Sequence, residues 1–85
     1  MQVFKIADMI RGWFVGDFSP AAFRFSGAEV GYLRHPAGQQ WDAHYHKIAT
    51  EVNFLVRGRM RLNDTEFVAG DIFVIDPGEV AAPTF

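Results

Sequence analysis

Cysteine is absent from this 85-residue chain. That excludes disulfides and thiolate metal sites and leaves the redox compartment open. Long apolar runs are missing too. In the opening stretch "MQVFKIADMIRGWFVG", Lys5, Asp8 and Arg11 interrupt every apolar segment. A secretory leader needs about 7–15 uninterrupted apolar residues and a membrane span about 20. Neither pattern occurs, so a cytoplasmic location with no membrane partner is expected. An excess of one charge is lacking as well: 8 Lys and Arg stand against 10 Asp and Glu, for a net charge of −2. Nucleic acids and acidic membranes are bound by clustered Lys and Arg. Here the charges are dispersed, and no nucleic-acid partner is expected.

Room for helices is also scarce. Glycine and proline punctuate the chain from Gly12 to Pro83, and few gaps between them hold a helix of typical length, about 11–12 residues. What the chain does have is aromatic bulk, with nine Phe and two Trp. Each buried ring removes roughly 150–250 Å² from water. A single core is therefore feasible at a length near the lower limit for an independent domain.

Strand periodicity is clear in the second half. In "EVNFLVR", Val52, Phe54 and Val56 share one face while Glu51, Asn53 and Leu55 share the other. "RMRL" alternates Arg59 and Arg61 with Met60 and Leu62, and Asn63-Asp64 suits a two-residue hairpin turn. After "TEFV" and a turn at Gly70-Asp71, the apolar run from Ile72 to Ile75 predicts a strand buried on both faces. Many short strands with frequent turn signals predict an all-β sandwich or barrel. "KIADMIR" fits either a helical turn or an irregular arm. The chain reads as one domain, with an arm and first strands over 1–28 and the barrel over 29–85.

Only three histidines occur, and two of them, His44 and His46, lie one residue apart in the longest stretch without glycine or proline. On a strand they project to the same side. Glu51 starts the next strand, and a hairpin brings it back beside them. Two imidazoles and a carboxylate suit a divalent transition metal (Fe, Mn, Ni, Co, Zn or Cu) without choosing among them, and leave coordination positions open.

Gly38, His44, His46, Glu51 and Gly58 have the spacing of a known motif: Gly, five residues, His-x-His, four residues, Glu, six residues, Gly. In this the chain resembles the cupin superfamily, and its aromatic-rich front part, with "GWFVGDFSP", resembles the small single-domain cupins of bacteria and their phages. The second cupin motif is matched in part. Gly70 and Gly78 fall into place, the proline is displaced to Pro77, Ala81 stands at the histidine position and Phe85 at the asparagine. The resemblance covers roughly residues 31–85. It implies a small cupin-like jelly-roll β-barrel and His44, His46 and Glu51 as metal ligands, with the usual fourth ligand lost at Ala81. Jelly rolls of this kind continue with one or two strands beyond the Pro77-Gly78 turn. The N-terminal segment, a partner chain or further sequence would fill that place.

The resemblance further implies a small-molecule ligand. The leading expectation is a metal-dependent enzyme, an isomerase of sugars or sugar phosphates or an oxygenase, in which the metal polarises an oxygen or activates dioxygen. The alternatives are a non-catalytic ligand-binding or regulatory module and a structural jelly roll without metal. Gln40, Asn53, Leu55, Arg57 and Glu79 are the candidate substrate contacts. Asp42 is placed to orient an imidazole from behind. No general base stands out, with His35, Tyr45 and Glu79 as nominees. The apolar face of Val52, Phe54 and Val56 needs a cover, and a homodimer is expected because two-fold dimers are the commonest oligomers.

Overall fold

The computed structural model describes residues 1–40 and 49–85. The chain divides into two compact units, Met1–Arg34 and His35–Phe85. Every named strand belongs to one of three small sheets, so the all-β expectation holds, and among the described residues no barrel closes. No helix among them is long and apolar enough to cross a membrane.

In the first unit, "KIADMIR" forms a single 3-10 turn, Ile6–Asp8. Three strands follow: β1 (Trp13–Gly16), β2 (Phe23–Arg24) and β3 (Val30–Gly31), in the order β2-β1-β3. The β1–β2 pairing is parallel and the β1–β3 pairing antiparallel, with a register shift between Trp13 and Val15. A tight turn precedes β1. Its central residues, Arg11 and Gly12, both have positive φ, 54° and 84°, and the Trp13 N–H closes it on the Ile10 carbonyl at 3.1 Å.

The second unit holds β4 (Glu51–Phe54), β5 (Arg59–Leu62), β6 (Thr65–Val68), β7 (Ile72–Ile75) and β8 (Pro83–Thr84). Strands β4 and β7 pair antiparallel, Glu51 opposite Ile75 and Phe54 opposite Ile72. The β5–β6 hairpin turns through Asn63-Asp64 with Leu62 opposite Thr65, as the sequence predicts. Asn63 takes the left-handed conformation, φ 54°, which asparagine tolerates better than most residues. Its side chain also pins the segment before β8: the amide donates to Val80 O at 3.0 Å, and its oxygen accepts from the Ala82 N–H at 3.1 Å. One small side chain thus joins a hairpin tip to a distant loop.

Burial follows the predicted alternation along β4 and β5. Glu51, Asn53 and Leu55 are half-buried while Val52 and Phe54 are 68% and 60% exposed; Leu62 is buried and Arg59 and Arg61 are exposed. The core joins Leu62, Ile75 and Ala81, with Phe67 and Phe73 packed against it and their rings stacked at 4.3 Å. The expectation of a β7 strand buried on both faces is corrected. Phe73 and Ile75 point inward, but Ile72 and Val74 are 67% and 52% exposed. The β4–β7 sheet has only two strands, and its outer side presents Val52 beside Val74 and Phe54 beside Ile72 as an open apolar surface.

The segment leading to the histidines is tied to β8. Thr84 bridges Gln40 on one side and pairs with Arg61 on the other. The Gly38 N–H donates to Phe85 O at 2.6 Å, and the Phe85 N–H to Gln39 O at 2.8 Å.

Candidate functional site

Three of the sequence-predicted residues share the inward face of β4 and its extension: Glu51, Asn53 and Leu55. Strand alternation places all three on the half-buried side, and the Asn53 amide donates to Glu51 Oε2 at 3.1 Å. A carboxylate that ligates a metal is commonly held by such a hydrogen bond, which fixes the orientation of its oxygens. Leu55 closes the strand through its backbone, its N–H donating to Asp71 O at 3.0 Å and its carbonyl accepting from the Gly70 N–H at 2.8 Å.

His44 and His46 lie outside the described residues, together with Trp41, Asp42, Ala43 and Tyr45. Among the described residues no group of three or more His, Asp or Glu side chains could hold a metal. The donor set of the sequence, two imidazoles and one hydrogen-bonded carboxylate, is chemically suited to a divalent transition metal. Gly38 and Gly58, which bracket the histidine stretch, adopt φ of 85° and 86°, and a Cβ on either would meet nothing within 4 Å. Their requirement is conformational, since L-residues with side chains rarely adopt such a φ.

The remaining candidates are more dispersed. Gln40 is exposed and contributes a backbone bridge to Thr84. Arg57 is exposed in the turn after β4. Glu79 belongs to the Asp76–Glu79 turn. Its backbone N–H donates to Asp76 O at 3.1 Å, and its side-chain Oε1 accepts from the Asp76 N–H at 3.2 Å. His35 is half-buried. Its ring stacks on Phe85 at 3.9 Å, and Nδ1 lies 2.8 Å from Gln39 Oε1.

Ala81, at the motif position where a fourth ligand would stand, is 3% exposed and packs with Leu62 and Ile75. A small apolar side chain there completes a core instead of facing an ion.

Sequence reasoning passed over a second concavity, in the first unit. Ile10, Arg11, Trp13, Phe18, Ser19 and Glu29 line a cavity of about 390 Å³. The one local signal was the "RGW" turn, since glycine before an aromatic strand start marks a tight reversal. Compared with protein-family models, curated proteins and solved structures, the chain matches none.

Proposed function

We propose that residues 35–85 are the core of a small cupin-type jelly roll that holds a divalent transition metal through His44, His46 and Glu51 and acts on a small molecule. The observation that carries this reading is Glu51, half-buried on the inward face of β4 and hydrogen-bonded by Asn53, at the glutamate place of a motif whose five fixed residues are all present. Two imidazoles and one carboxylate leave room in the coordination sphere for a ligand. The bound metal supplies Lewis acidity toward a carbonyl or hydroxyl oxygen. The chain's own contribution is to orient the carboxylate through Asn53 and to wall the inward face with Leu55. A sugar or sugar-phosphate isomerase, or an oxygenase, is the activity this set serves best.

A second reading rests on Ala81. With a buried alanine where the fourth ligand stands in the resembling proteins, the site suits a ligand-sensing module without turnover. Elemental analysis of protein purified without an affinity tag tests both. About one equivalent of transition metal, lost on His44→Ala, supports a metal site; turnover of sugar phosphates or uptake of dioxygen then separates enzyme from sensor. No metal under any loading condition leaves a jelly roll without one.

The outer side of the β4–β7 sheet is assigned here to a second copy of the chain. In a two-fold interface each residue lies near its own counterpart, so a charged face repels itself. Val52, Phe54, Ile72 and Val74 carry no charge and expose half or more of their surface.

A further inference from the structure

We propose that the first unit, Met1–Arg34, carries a binding site for a small amphoteric molecule, one with an apolar or aromatic body, an anionic end and a cationic end. Free amino acids with large apolar side chains form the class. The site is the cavity between the Arg11-Gly12 turn and Glu29.

Its volume, about 390 Å³, lies within the range of small-molecule sites, roughly 300–1,000 Å³. Apolar walls come from Ile10, Trp13 and Phe18, and the Trp13 and Phe18 rings are each seated on a glycine. An added Cβ on Gly31 would stand 2.7 Å from Trp13 Cε3, and one on Gly16 would overlap the Phe18 ring. The missing side chains let the rings come close to the backbone of β1 and β3.

The polar lining is Arg11, Ser19 and Glu29. Arg11 and Glu29 are opposite charges on one cavity, yet they do not pair within 4 Å; among the described residues the ion pair is Arg24–Asp17. A plain anion would meet Arg11 but be repelled by Glu29, and a plain cation the reverse. An uncharged sugar could hydrogen-bond to both groups but would neutralise neither charge. A molecule carrying both signs uses both, and Ser19 adds a hydroxyl that donates or accepts.

The backbone supplies an independent pointer. A two-residue turn with positive φ at both central positions is dominated by Asn-Gly and Asp-Gly. Here the first position is Arg11, at φ 54°, a conformation that costs a long side chain more than asparagine. Residues held in sparsely populated backbone regions gather at ligand sites, where the side chain's task outweighs the strain. Arg11 is such a residue, and it lines the cavity.

The experiment uses the full chain and L-phenylalanine as the probe, with 3-phenylpropionate and 2-phenylethylamine as its anion-only and cation-only counterparts. Binding is read from the Trp13 indole N–H signal in NMR titrations, assigned by comparison with Trp41→Phe. Saturable binding of phenylalanine is expected, with each counterpart at least about tenfold weaker, the effect of losing one charged hydrogen bond. Arg11→Asn should weaken binding by about tenfold or more while the thermal midpoint holds or rises, because asparagine suits the turn. Glu29→Gln should weaken it similarly with the fold unchanged. The proposal is overturned if none of the three probes shifts the indole signal saturably. It is equally overturned if 3-phenylpropionate binds as well as phenylalanine, or if neither substitution changes affinity.

Discussion

The Asn53 side-chain amide donates to Glu51 Oε2 at 3.1 Å from two places further along the same strand. Strand alternation makes this possible, because residues i and i+2 stand side by side on one face. The pair joins a proposed metal ligand to the side chain next to it on the strand.

Asn53→Ala removes the donor without touching a proposed ligand. Metal affinity is expected to fall by about 10–100-fold, the usual effect of losing a group that orients a ligand. Competition with a chelator of known affinity measures it. Unchanged affinity would mean that the hydrogen bond does not orient a ligating carboxylate.

Metal binds imidazole in its neutral form, so protons compete with the ion. Affinity is expected to hold above neutral pH and to decline as pH falls through the ordinary imidazole range, near about 6.5. Titrations between pH 5 and 8, rough bounds around that value, check this. A flat profile argues against histidine ligation.

Asn63 has two separable tasks. Asn63→Gly keeps the positive φ but loses the bonds to Val80 and Ala82, and should cost about 1 kcal/mol. Asn63→Ala loses both the bonds and the tolerated conformation, and should cost about 2 kcal/mol or more. Urea denaturation of the two variants distinguishes turn conformation from the pin. Equal costs would leave the conformational part without effect.

At position 81 the resemblance to cupins and the packing make opposing demands. Ala81→His inserts a polar ring where the core admits a methyl group. Overpacking alone costs about 1–3 kcal/mol, so the metal-free variant is expected to melt earlier than the parent. A variant of equal stability would show that the core around Leu62 and Ile75 yields to an imidazole.

Phe54→Glu places a carboxylate on the open sheet face. If a second copy covers that face, sedimentation of the parent shows a dimer and the variant sediments as a monomer with unchanged circular dichroism. A monomeric parent at working concentration removes the assignment.

What the sequence made legible was local. The alternation from Glu51 to Leu62 and the turn at Asn63-Asp64 were readable because period-two patterning and a left-handed asparagine are both written in consecutive residues. The strand Ile72–Ile75 was also readable, but not its surroundings. Four apolar residues state that both faces avoid water, and they say nothing of whether the cover lies in the same chain. Ala81 is similar: motif spacing located it, and only packing revealed its place against Leu62 and Ile75. The first-unit cavity was out of reach because Gly12 signals a turn without placing Arg11 on a cavity, and Glu29 reaches the same cavity through the pairing of β1 with β3.

Phe85 has both backbone groups committed, one to Gly38 and one to Gln39, and its ring rests on His35. Phe85→Ala would keep both backbone bonds and remove the ring that stacks on His35. Phe85→Pro would instead remove the N–H that donates to Gln39 O, opening one of the two backbone bonds that hold residues 38 and 39.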